Sequence, residues 1–214
     1  MRGGLSTLQL NLEGKVAIVT GGSKGIGKAI KESLESEGVK AYSISRNEIM
    51  PMYPIDLSNA TGIIMAKTLI KQIKPNILIN NVGGVGRRTD SIEVYDESYR
   101  LNIRPMIELT YEAVKYVDRV ITISSIYGKE AGLNPWFTMH KASQIAFMKE
   151  MSKRHTGTFN TICPGEIDVG KVERKDYFGE PSDVANLVTF LCSEKASHIN
   201  GATIVCDGGK SYSF

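Results

Sequence analysis

Residues 15–27 read Lys-Val-Ala-Ile-Val-Thr-Gly-Gly-Ser-Lys-Gly-Ile-Gly, and the fold is decided here. Lys15 to Thr20 is a short, apolar, β-branched run that stops at Gly21-Gly22. Ile26 to Glu37 then carries apolar residues at helical spacing until Gly38 ends it. The pattern is strand, tight glycine turn, helix.

The same alternation continues on the C-terminal side. Val39 to Ser45 is a second strand, Met52 to Ile55 a short third, and Thr61 to Lys74 a helix closed by Pro75. Asn76 to Asn80 is a fourth strand; after the glycine-rich stretch Gly83-Gly-Val-Gly86, Tyr95 to Val117 is a long helix and Arg119 to Ser124 a fifth strand. Pro135 to His155 is helical, and Thr158 to Cys163 is a sixth strand ending at Pro164-Gly165. Ser182 to Cys192 is helical, and Ala202 to Cys206 is a seventh strand before Asp207-Gly208-Gly209. Strands apolar on both faces, alternating with helices, require a mostly parallel sheet covered on both sides by right-handed crossovers. The expectation is a doubly wound α/β fold with a seven-stranded sheet. Arg46 to Pro51 leaves too few residues between strands two and three for a crossover helix, so one face of the sheet is less covered there.

The 214 residues, 42% apolar and 23% charged, suit one domain with a substantial core, residues 1–13 forming an N-terminal extension. No apolar run is long enough for a membrane helix, and Met1 to Glu13 lacks the apolar centre of an export segment. A net charge of +3, with both signs mixed along the chain, gives no basic tail, so neither nucleic acid nor membrane is an expected partner. Cys163, Cys192 and Cys206 are widely spaced in core-like segments, and His140, His155 and His198 stand at no ligand spacing. Reduced thiols, no structural metal and a cytoplasmic location follow as expectations.

Within the opening motif, Gly21 allows the tight turn, while Gly25 and Gly27 let backbone and helix approach an anionic ligand and the sheet. The helix N-terminus beyond offers unpaired N–H groups and a positive dipole end, which suit a diphosphate, so the motif points to a dinucleotide. A carboxylate at the end of strand two would bind the ribose 2′-hydroxyl of NAD, but that region reads Ser43-Ile-Ser-Arg46-Asn47. Arg46 and Lys24 instead match a 2′-phosphate, which favours NADP(H) over NAD(H).

The chain resembles the short-chain dehydrogenase/reductase family along nearly its whole length. The matching residues are Thr20-Gly-x-x-x-Gly-x-Gly27, Asp56-Leu57, Asn80-Asn-Val-Gly83, Asn102, Ile123-Ser-Ser125, Lys141, Pro164-Gly165 and Asp207-Gly-Gly209. The resemblance implies a Rossmann-type single domain, a bound nicotinamide dinucleotide, and a homodimer or homotetramer. By motif position it places Gly21, Ser23, Lys24, Gly25, Ile26 and Gly27 at the diphosphate and adenosine side, Asp56 and Leu57 at the adenine, and Asn81, Val82 and Gly83 at the adenosine ribose. Lys141 falls at the nicotinamide ribose, with Pro164, Gly165 and Ile167 beside the nicotinamide. Ser125 matches the family's substrate-polarising serine and Asn102 its water-holding asparagine; Ser124 is the alternative to Ser125, because the loop register is open by one residue.

The family's acid–base chemistry rests on Tyr-x-x-x-Lys, and this chain has Phe137-Thr-Met-His-Lys141. The i to i+4 spacing keeps both residues on one helix face, but phenylalanine has no hydroxyl. Three readings stand. Another group supplies the proton, Tyr127 being the nearest phenol in sequence and His140 a second candidate turned away from the lysine face. Alternatively the chain is a catalytically silent NADP(H)-binding relative acting as sensor, scaffold or inactive subunit. Lastly, Phe137 is a substitution introduced to trap a complex. The loops beyond the strands carry Arg87, Arg88, Tyr127, Lys129, Trp136 and Glu166. The paired arginines suit an acidic substrate, and Trp136 suits stacking on a sugar or packing at a helix start. Residues 168–180 form a shortened substrate loop, and Glu166-Ile-Asp-Val169 lacks the threonine the family often carries after its Pro-Gly. The combined expectation is an NADP(H)-dependent oxidoreductase that interconverts an alcohol and a carbonyl on a small, sugar-like or acidic molecule.

Overall fold

The computed structural model describes residues 9–46, 54–87, 91–132, 134–170 and 178–212. Six parallel strands, β1 (Val16–Thr20), β2 (Lys40–Ile44), β3 (Ile77–Asn80), β4 (Arg119–Ile123), β5 (Thr158–Pro164) and β6 (Thr203–Cys206), form one sheet in the order β2-β1-β3-β4-β5-β6. The helices between them are α1 (Gly25–Ser36), α2 (Ala60–Ile73), α3 (Ile92–Asn102), α4 (Arg104–Ala113), α5 (Pro135–Arg154) and α6 (Pro181–Cys192). Chain order reverses beside β1, which pairs with β2 on one edge and β3 on the other. In doubly wound sheets that reversal opens a crevice at the carboxyl ends of the strands.

Strand side chains alternate between two cores. Ala17, Val19, Ile77, Ile79, Ile121 and Ile162 face Ile30 and Leu34 of α1 and Val184, Val188 and Leu191 of α6. Ile18, Leu78, Val120 and Phe159 face the opposite core, with Ile63 and Ile70 of α2, Leu109 of α4, and Met148 and Met151 of α5. Burying each of these large side chains is worth roughly 1.5–3 kcal/mol, which explains why the strands are apolar on both faces.

The sheet has six strands where seven were expected. Pro54 and Ile55 are not in a strand, while residues 52 and 53 lie outside the described residues. Ile55 N donates to Ser45 O at 2.9 Å, so the segment touches the end of β2 without adding to the sheet. The long helix expected over Tyr95 to Val117 is also corrected: it begins at Ile92 and breaks at Ile103 into α3 and α4. Pro105 causes the break, because it has no N–H to give to the preceding turn and its ring collides with that turn's carbonyl. At the end of α2, Lys74 adopts φ +50° before Pro75. Among the described residues, no helix is long and apolar enough to cross a membrane.

Candidate active site

The turn after β1 is held from both sides. Thr20 Oγ1 donates to Ile79 O at 3.2 Å and accepts from Asn81 N and Val82 N at 2.9 and 3.0 Å, which locks the carboxyl end of β1 to that of β3. Asn81 Nδ2 donates to Thr20 O at 2.9 Å. Gly21 has φ +70°. A Cβ on Gly27 would lie 2.2 Å from Gly21 O, so only glycine lets α1 start this close to the strand end. The N-cap residue Lys24 makes no side-chain cap hydrogen bond, and the first turn of α1 carries no acidic residue. The helix therefore turns uncapped N–H groups and its positive dipole end toward the crevice.

One cleft of about 440 Å³ runs from this turn across the carboxyl ends of β1, β3, β4 and β5. Every residue expected to hold the cofactor lines it: Gly21, Ser23, Lys24, Gly25, Ile26 and Gly27 at one end, then Arg46, Asp56 and Leu57, then Asn81, Val82 and Gly83, and finally Lys141, Pro164, Gly165 and Ile167. Asp56 Oδ1 accepts from Ser58 N at 2.9 Å; that bond, the Ser58 hydroxyl and the Arg46 guanidinium hold its carboxyl below the usual range against the opposing effect of burial. Ile44, Ile55 and Val169 complete the walls. They carried no motif signal, since a wall residue need only be apolar. Gly22, marked by the sequence as part of the strand stop, also lets β2 come close, since a Cβ there would meet Ser43 Oγ at 2.8 Å.

The other end of the cleft holds Ser124, Ser125, Phe137 and Lys141. Ser124 Oγ donates to Lys141 O at 2.9 Å, which commits that hydroxyl to the backbone. Ser125 Oγ accepts from Tyr127 N at 3.2 Å as cap of the short 3-10 turn Ile126–Gly128, so its own proton remains available as a donor. Asn134 caps α5, its Oδ1 accepting from Phe137 N at 2.7 Å, and the Phe137 ring lies with its centroid 5.6 Å from Lys141 Nζ. Lys141 is buried, donates to Ile123 O at 3.1 Å, and has its pKa pushed down to about 8 by burial, with the Cys163 thiol acting weakly in the other direction.

Asn102 is fully buried beside the cleft and is not among the residues lining it. Its Oδ1 accepts from Gly84 N and its Nδ2 donates to Gly84 O, both at 3.0 Å, while its backbone carbonyl accepts from Gln144 Nε2 at 2.7 Å. Tyr127 is likewise not a lining residue; its ring occupies the space where a side chain on Gly132 would be. His140 is buried among Tyr95 and Tyr99 with Nδ1 2.8 Å from Ser98 Oγ, and burial lowers its pKa. Trp136 packs edge-on against Tyr95 and donates to Ser91 O at 3.1 Å, joining α5 to the start of α3. Arg87 pairs with Glu97, and Arg88 lies outside the described residues. Glu166 faces a neighbouring groove with Asp183, Asp207 and Lys210.

The family model described as short chain dehydrogenase matches residues 15–177. The chain belongs to the short-chain dehydrogenase/reductase family. The chain is 29% identical over 241 aligned positions to a 3-oxoacyl-[acyl-carrier-protein] reductase of Vibrio cholerae, with 94% of this chain and 98% of that protein covered. It is 29% identical over 245 positions to a 7alpha-hydroxysteroid dehydrogenase of Bacteroides fragilis, covering 92% and 94%. Among solved structures, a short chain dehydrogenase of Burkholderia cenocepacia in complex with NADP superposes with a TM-score of 0.83 at 21% identity, over 92% of this chain and 98% of that one. Family membership makes the chain an oxidoreductase of the CH–OH/C=O class.

Proposed function

We propose that this protein uses NADP(H) to interconvert an alcohol and a carbonyl on a small substrate held beyond β4 and β5. The observation that carries the reading is the continuity of the cleft: among the described residues it is lined without a break from the uncapped helix N-terminus and Arg46 at one end to Ser125 and Lys141 at the other. The residues fit a dinucleotide, because Gly21, Gly25 and Gly27 leave backbone where a diphosphate needs close approach, and a Cβ on Gly83 would meet Asn102 Oδ1 at 2.8 Å and Lys141 Nζ at 3.2 Å. A bound nicotinamide would supply or accept the hydride equivalent at the carbon that changes oxidation state. Ser125 donates its proton toward the substrate oxygen, Phe137 excludes water from one wall, and Asn102 is a positioning residue that pins the turn at Gly83 and Gly84.

The NADP bound to the Burkholderia protein and the reductase and dehydrogenase names of the Vibrio and Bacteroides proteins support this reading. The substrate is a ketone or secondary alcohol small enough for the short 168–180 loop. Tyr111, 54% exposed and edge-on to Phe147, and Met139, 41% exposed, give a homodimer or homotetramer apolar surface on α4 and α5 to bury.

Cofactor choice is tested at Arg46. No carboxylate ends β2, and Arg46 stands in the cleft where a 2′-phosphate would lie. Replacing Arg46 with Ala is expected to weaken NADPH binding by about 10-fold or more while changing NADH binding little, since a charged hydrogen-bond pair is worth roughly 1.5–3 kcal/mol. Equal losses for both cofactors, read by fluorescence titration, remove the preference for NADP(H).

A further inference from the structure

Among the described residues no phenol lines the reaction end of the cleft beside Phe137, and Tyr127 and His140 lie elsewhere. The Tyr127 ring packs on Gly132, and His140 sits between α3 and α5 against Ser98. Of the described residues that line this end, namely Ile123, Ser124, Ser125, Phe137, Lys141 and Pro164, only Lys141 titrates. We propose that the Lys141 ammonium itself exchanges the proton with the substrate oxygen, taking the part that a tyrosine at position 137 would play. The inference rests on the oxidoreductase reading above.

The geometry supports a donor. One N–H of Lys141 is spent on Ile123 O, which fixes the amine at the cleft wall, with the Phe137 ring centroid 5.6 Å away and Gly83 packed so close that a Cβ there would lie 3.2 Å from Nζ. Ser125 lines the same end of the cleft, and its hydroxyl can donate to a carbonyl oxygen bound there. Among the described residues, the groups around the amine are neutral or weakly acting: Cys163 on β5 is the ionisable neighbour that acts on it, and burial pushes that thiol up toward its neutral form. Lys129 acts on Cys163 from the loop after β4, and Asn102 of α3 is uncharged. An ammonium in such a place gives up its proton far more readily than one in water, and the pKa of about 8 lies near working pH. In the reducing direction the carbonyl π bond becomes one C–H and one O–H bond. The electron pair and the carbon-bound hydrogen come from reduced nicotinamide, the oxygen-bound proton from Lys141, and the neutral amine regains a proton from solvent.

The test uses the full chain and has a readout that needs no turnover. Lysine labelled with ¹³C at Cε is titrated by NMR, the Lys141 signal being assigned by its loss in Lys141→Arg. The expected midpoint is about 8, as against the ordinary lysine value of 10.5; a midpoint near that ordinary value overturns the proposal. Turnover is then measured on a 3-oxoacyl thioester, an oxosteroid and small keto acids. Reduction is expected to fall as pH rises through the NMR midpoint. Lys141→Arg, which keeps the cation but holds its proton too tightly, is expected to lose about 100-fold in kcat at saturating NADPH, so that a weaker hold on the cofactor does not account for the loss. Full turnover by Lys141→Arg, an equal loss in Tyr127→Phe, or NADPH binding without turnover of any of these carbonyls overturns the assignment. Failure of the wild-type chain to bind NADPH instead removes the oxidoreductase reading and the proposal with it.

Discussion

Phe137 and Lys141 stand one turn apart on α5, and they contrast: a ring that cannot titrate lies over an amine that does so easily. Burial of a charged lysine has a stability consequence of determined sign. The folded pKa of about 8 lies below the ordinary 10.5, so between those values the unfolded chain binds more protons and stability rises with pH. Below pH 8 both states are charged and the full desolvation cost, on the order of 3 kcal/mol, is present. The thermal midpoint of wild type relative to Lys141→Met is therefore expected to rise between pH 7 and pH 10. A difference that stays flat over that range would mean the amine is hydrated. The Phe137 substitution was legible from the five residues of its own motif, because a missing hydroxyl needs no structure to be noticed. The fates of Tyr127 and His140 were not. The first depends on an empty glycine at position 132, the second on Ser98 from a different helix, and neither contact leaves a trace in local spacing.

At the level of elements, α5 does the positioning. Its cap Asn134 orients the first turn, Phe137 and Lys141 face the cleft, and Gln144 reaches across to the carbonyl of Asn102, where α3 gives way to α4. Replacing Asn134 with Ala removes the hydrogen bond to Phe137 N and is expected to cost about 1 kcal/mol. For a chain of this size that corresponds to a fall of roughly 2–4 °C in Tm, measured by calorimetry. An unchanged Tm would mean that the turn is held by packing alone. Most element positions could be read from periodicity, because the parallel strands are short apolar runs and the glycine turns end them. Pro105 was in plain view, yet a helical pattern that continues on both sides of a proline hides the break. The supposed third strand failed for a related reason: a short apolar stretch becomes a strand only with a neighbour to pair with, and Ile55 makes its single ladder-like bond to Ser45.

For the molecule as a whole, the reversal of strand order beside β1 gathers residues far apart in sequence, from Gly21 to Ile167, into one cleft. Motifs spaced along the chain marked those positions, and several of them, such as Gly21, Asn81 to Gly83 and Gly165, sit just past a strand, where the backbone must turn. The walls between them depend on which strands become neighbours. As proposed above, this cleft would hold a nicotinamide dinucleotide with its phosphate end at the α1 turn and Arg46. The most direct test is a fluorescence titration of the purified wild-type chain with NADPH and, in parallel, NADH. Saturable binding of NADPH, with one equivalent per chain and a Kd below that of NADH, is the predicted result; no saturable binding of either would contradict the account.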